Sequence, residues 1–171
     1  MRFVGNNAWF AVLLIVHVSG AIMGIGPTFA YGVMGKMAEK DPSMGLAVLK
    51  IQEKIEKVVV SPVYFVTQPL TGILLIFNRG LNRDFFSGHN LWLIAALVDY
   101  IVIGYLSYMV NARVAGGMIK MIESGNIDGP ALMAGGQKLK KVGTALFLLA
   151  VVIVVLMIWK PGSGCGPLIR C

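Results

Sequence analysis

Apolar residues in this chain come in long runs separated by short polar blocks. Four runs, at about 8–31, 58–77, 91–110 and 142–159, reach the roughly 20 residues that a helix needs to cross the ~30 Å hydrocarbon core of a bilayer. The stretch 42–58 does not qualify, because charged and apolar residues alternate along it. The pattern predicts an all-α fold, a four-transmembrane-helix bundle of two helical hairpins, in a single integral membrane domain over 1–171. The first run exceeds the roughly 7–15-residue apolar core of a signal peptide and has only Arg2 ahead of it, so it reads as a retained span.

The connections also read as helical. Asp41-Pro42 suits a helix start, as does Asp128-Gly129-Pro130. Met44, Val48, Ile51, Ile55 and Val58 recur at helical spacing on one face, with Lys50, Glu53, Lys54 and Lys57 on the other. Glu53 and Lys57 form a favourable i,i+4 pair. Such a stripe either lies on the membrane interface or extends the second span inward.

Composition narrows the class. Hydrophobic residues make up 57% of the chain and charged residues 13%, against roughly 45–50% and 25% in soluble domains. A soluble enzyme and a disordered tail are both excluded. The net charge of +7 sits in blocks between the apolar runs, which points to a membrane surface and not to nucleic acid. Ten Lys and Arg lie in the two long connections: Lys36, Lys40, Lys50, Lys54, Lys57, Arg113, Lys120, Lys138, Lys140 and Lys141. Five lie on the other side: Arg2, Arg79, Arg83, Lys160 and Arg170. The positive-inside rule then places both termini on the side away from the cytoplasm. Trp9, Trp92 and Trp159 fall at the outer helix ends, where aromatic belts form.

An offset of 84 residues aligns Gly32-Val33-Met34-Gly35-Lys36-Met37-Ala38-Glu39 with Gly116-Gly117-Met118-Ile119-Lys120-Met121-Ile122-Glu123, five of eight positions being identical. Asn6/Asn90, Gly20/Gly104, Lys54/Lys138, Lys57/Lys141 and Val58/Val142 keep the same register. Two tandem repeats, 1–84 and 85–168, would be related by a pseudo-two-fold axis along the membrane normal.

Polar side chains within the spans are the functional candidates. His17, Gln68 and Asp99 each lie about nine residues, or 13–14 Å, from the outer end of their helices. Their common level predicts a His17–Asp99 contact, which would leave one imidazole nitrogen for haem iron, a metal or a proton. Gly20-x-x-x-Gly24 shares a face with His17 and Tyr31 and marks close helix approach. Pro69 should kink the second span and release the Phe65 carbonyl. Residue types alone leave His17 open as helix glue, as a cofactor or metal ligand, or as a proton relay. Asp99 is equally open as a neutral or a paired carboxyl.

A bis-His haem with His89 needs a longer or tilted helix; haem b on His17 with a weak or absent sixth ligand stays open, without a specific signal in the sequence. Cys165 and Cys171 permit a small disulfide loop outside the membrane, free thiols or a metal site. No phosphate loop, nucleophile elbow, Cys-x-x-Cys, His-Glu-x-x-His or paired-carboxylate motif occurs, which argues against an enzyme. A single polar layer, with no second charged layer, argues against a continuous proton path.

His17-Val18-Ser19-Gly20-Ala21 with Gly24 and Gly26, Thr67-Gln68-Pro69-Leu70-Thr71-Gly72 and Leu91-Trp92-Leu93 resemble a family of predicted bacterial integral membrane proteins of unknown function. That family is in turn distantly similar to the copper-resistance D and bacterial protoporphyrinogen-oxidase-like group. The resemblance implies a His ligand in the first span, here His17, and links to haem or copper. Unlike the oxidase pattern, this chain has no Lys inside a span and carries Asp99 in the third.

Together these readings give a small non-catalytic accessory subunit of a larger membrane redox or respiratory complex, in contact with lipid and other membrane subunits, with haem b as the candidate cofactor. The alternatives are a stand-alone haem- or copper-handling membrane protein and a small proton-coupled transporter.

Overall fold

The computed structural model describes residues 7–81, 85, 86 and 90–161. Every regular element among them is helical. α1 (Asn7–Lys40) is followed by a 3₁₀ turn (Pro42–Met44), α2 (Gly45–Ile55), two wide π turns (Glu56–Val60 and Val63–Thr67) and α3 (Gln68–Asn78). α4 (Leu91–Gly104) leads through a third π turn (Tyr105–Asn111) into α5 (Ala112–Glu123), and α6 (Gly129–Trp159) closes the chain. Four rods long and apolar enough to cross a membrane result: Ala8–Lys40, Pro42–Asn78, Leu91–Glu123 and Gly129–Trp159. They contain all four predicted runs.

At 34 residues, α1 is about 51 Å long, well beyond the ~30 Å apolar core. The excess projects at the end that carries the basic connections. There α2 runs back along α1 and packs on α5, so the stretch 42–58 extends the second span and does not lie flat on the interface. The expected apolar stripe is only partly inward. Val48 and Leu49 are buried, whereas Ile51 and Val58 are exposed, because α1 and α5 cover one side of α2 only.

Both helix starts form as the sequence indicates. The Asp41 carboxylate accepts from the Ser43 N–H at 3.0 Å and the Ser43 hydroxyl at 2.6 Å. Asp128 accepts from the Ala131 N–H at 3.2 Å. Each satisfies a donor that the first helical turn cannot pair internally.

Proline explains two of the π turns. A ring at position i removes one N–H and crowds the carbonyl at i−4, and a wide turn ahead of it spreads that misfit without ending the helix. Ser61 N–H donates to the Glu56 carbonyl just before Pro62, and Gln68 N–H donates to the Val63 carbonyl just before Pro69. The second span thus stays one rod.

The four rods follow one another around the bundle. α1 packs on the second span and on α6, and α4 packs on α6. Spans 2 and 3 meet through the α2–α5 contact and through tyrosine hydroxyls described below. Spans 1 and 3 are therefore diagonal. Two ion pairs tie neighbouring rods at the basic end, Lys50–Glu123 at 2.6 Å and Lys140–Glu39 at 3.0 Å. The predicted Glu53–Lys57 pair forms at 2.6 Å.

At the opposite end Trp9 and Trp159 are exposed, as a membrane-interface belt requires. Trp92 is not part of that belt. It is 6% exposed, and the Lys160 ammonium sits 5.5 Å from its ring centre. The face of α4 that carries it is turned into the bundle.

Candidate functional site at membrane depth

The first and second spans approach closely where glycine permits it. A β-carbon on Gly20 would lie 2.7 Å from Gln68 Nε2 and 3.2 Å from Thr67 Cγ2, and one on Gly24 would meet Val63 Cγ1 at 3.4 Å. Gly20-x-x-x-Gly24 is thus the contact face its spacing suggests. The closeness lets the Gln68 amide donate to the His17 carbonyl at 2.8 Å. His17 and Gln68 are brought together as their shared level predicts.

The imidazole itself is held by Thr71, three residues beyond Gln68 and on the same side of the helix. His17 Nδ1 lies 2.8 Å from Thr71 Oγ1. That hydroxyl has one proton, and the Thr67 carbonyl sits 2.5 Å away to accept it. Toward His17 the hydroxyl then acts as acceptor, and Nδ1 carries the ring proton. Nε2 keeps its lone pair. It makes no hydrogen bond with the described residues and is not enclosed by them. A β-carbon on Gly72 would stand 3.5 Å from the ring's Cε1.

The predicted His17–Asp99 contact does not form. Asp99 is 7% exposed, and both of its carboxyl oxygens are buried without a hydrogen-bond partner. Its depth is close to that of Gln68, since the neighbouring Tyr100 bonds the carbonyl of Tyr64, one turn from Gln68. The seam differs, however: spans 1 and 3 are diagonal, and α4 turns the Asp99 face toward α6. Depth follows from counting along a helix, whereas the facing partner depends on bundle order.

Sequence reasoning missed the links between spans 2 and 3. Tyr64 donates to the Tyr100 carbonyl, and Tyr100 donates back to the Tyr64 carbonyl. Their rings stack with centroids 4.3 Å apart and planes 8° from parallel. Tyr108 donates to the Ser61 hydroxyl, which donates to the Glu56 carbonyl at 2.7 Å. On the first span, the Tyr31 carbonyl accepts from Gln52 at 3.4 Å. The Tyr31 hydroxyl is buried within electrostatic reach of the Glu56 carboxyl but outside hydrogen-bond geometry. Glu56 thus supplies a second carboxyl level toward the basic end, which the single-layer reading overlooked. The visible signal was Tyr100 and Tyr108 in the third span, whose rings meet Tyr64 of the second; Tyr105 between them is exposed and takes no part.

The donors fit some groups better than others. One oriented imidazole with an open Nε2 suits haem iron, which can take a single protein ligand. No group of three or more His, Cys, Asp or Glu among the described residues could hold a metal ion, so a copper centre built from those donors does not fit. His89, Cys165 and Cys171 lie outside the described residues.

No curated protein and no solved structure matches this sequence. Residues 11–161 match the model of a family described as predicted integral membrane protein (DUF2269), and the chain belongs to that family.

Proposed function

We propose that the protein is a small, non-catalytic accessory subunit of a larger redox assembly in the bacterial inner membrane. It lends the His17 imidazole to a redox group, haem b, held at its surface. The observation that carries this reading is the fixed ring, with Nδ1 tied to Thr71 at 2.8 Å and Nε2 left open. Metal-ligating histidines characteristically donate their other N–H to an oxygen that fixes tautomer and ring direction.

When bound, haem would supply one-electron chemistry. The chain's own part is to hold and orient the ring: Gln68 pins the backbone at His17, Thr71 pins the imidazole, and Gly20 lets the helices close. The two tandem hairpins draw support from the ion pairs. Glu39 and Glu123, paired by the 84-residue offset, each bond a lysine of a neighbouring rod.

The test is purification from native membranes in mild detergent, with absorbance and iron content measured on the intact preparation. The expected result is a Soret band with bound iron, in an assembly larger than the 18.4 kDa chain. His17→Ala should lose the band, whereas Thr71→Val should shift it, since the ligand atom remains. Absence of iron, or an unchanged band in His17→Ala, overturns the haem role. A monomer that brings down no partner overturns the accessory role.

A further inference from the structure

Trp92, Ala96 and Asp99 follow at i, i+4 and i+7 and form one face of α4. All three are buried, Ala96 to 2% exposure. That face meets α6, whose terminal Lys160 covers the Trp92 ring and whose own buried residues are Leu146 and Ala150. Between Val142 and Trp159, α6 offers no ionisable side chain, and Thr144 is its single hydroxyl there. That hydroxyl already donates to the Lys140 carbonyl at 2.9 Å. On the span 2 side, Tyr64 and Tyr100 donate to backbone carbonyls, and Tyr108 donates to Ser61. Lys160 lies two turns away, about 10 Å, at the level of Trp92. Among the described residues no cation or hydroxyl is left for the Asp99 carboxyl, and the one unpaired donor on its face, the Trp92 indole N–H, lies the same two turns away and makes no hydrogen bond.

A carboxylate with no counter-charge and no donor is among the most costly groups to place at membrane depth. The same carboxyl with a proton is neutral, and the cost falls to that of one unsatisfied hydroxyl. We propose that Asp99 is a proton-binding site, separate from His17. It keeps its proton while the seam between α4 and α6 is closed and exchanges it when the seam parts. The step is addition or loss of one proton at a carboxyl oxygen, and nothing is oxidised or reduced. An acid that served only to join helices would have a partner, as Gln68 and Thr71 do. The proposal does not rest on the role assigned to His17.

The experiment is infrared spectroscopy of the protein reconstituted in lipid vesicles at neutral pH, comparing the wild type with Asp99→Asn. The expected result is a carbonyl-stretch band of a protonated, unbonded carboxylic acid that is lost in Asp99→Asn and shifts on transfer to D₂O. As a check that needs no variant, dicyclohexylcarbodiimide should modify Asp99 in the wild type, as located by mass spectrometry. No band difference between the two proteins, or labelling confined to other residues, overturns the site. A band that never shifts in D₂O overturns the exchange.

Discussion

The seam between α1 and α3 and the seam between α4 and α6 carry polar side chains at nearly the same depth, yet they treat them oppositely. In the first, Gln68 and Thr71 bond His17, and only Nε2 is left open. In the second, Asp99 and the Trp92 indole N–H are buried with no partner. Lipid supplies no hydrogen bonds, so a partnered polar group glues helices while an unpartnered one strains them. The first seam is built to hold a ring still. The second stores an unsatisfied group that a proton or a movement can relieve.

Substitutions can break or sharpen this contrast. The largest effect should come from Gly104→Val, in the tyrosine clasp between the seams. A β-carbon there would lie 2.2 Å from the Tyr64 hydroxyl, forcing the ring out and breaking its bond to Tyr100. Overpacking of this kind costs about 2–3 kcal/mol, read as a lower unfolding midpoint in mixed micelles of detergent and SDS. Thr71→Val leaves His17 Nδ1 without its acceptor and should cost about 1–2 kcal/mol in the same assay. Asp99→Val should change stability with the opposite sign, by about 1 kcal/mol, because it removes a buried group that has no partner to lose. If Asp99→Val destabilises as much as Thr71→Val does, the two seams do not differ as described. The smallest effects belong to Lys50→Ala and Lys140→Ala. Their ion pairs are about half exposed or more, so each should cost about 0.5 kcal/mol or less and the cost should vanish in high salt.

Much of the architecture was legible because membrane spans are specified locally. Twenty apolar residues make a span whatever surrounds them, and Asp41 and Asp128 cap the helices that follow them. His17 and Gln68 were legible as a pair because rise per residue converts position into depth. Thr71 was not, since a threonine in a membrane helix commonly bonds its own backbone, as this one also does with Thr67. Trp92 was misplaced because counting locates a residue along the helix but not around it. Asp99 was assigned the wrong neighbour for the same reason.

Two properties follow from the order of amino acids alone: four membrane-crossing helices, and polar groups set at a chosen depth. Both depend on hydropathy and on a fixed rise per residue, which need no partner. Which groups meet was settled by how the four rods arrange themselves around the bundle. That arrangement put Thr71 against His17, stacked Tyr64 on Tyr100 and left Asp99 facing α6. Lateral contacts depend on every rod at once, through close approach at Gly20 and Gly104 and through the wide turns ahead of Pro62 and Pro69.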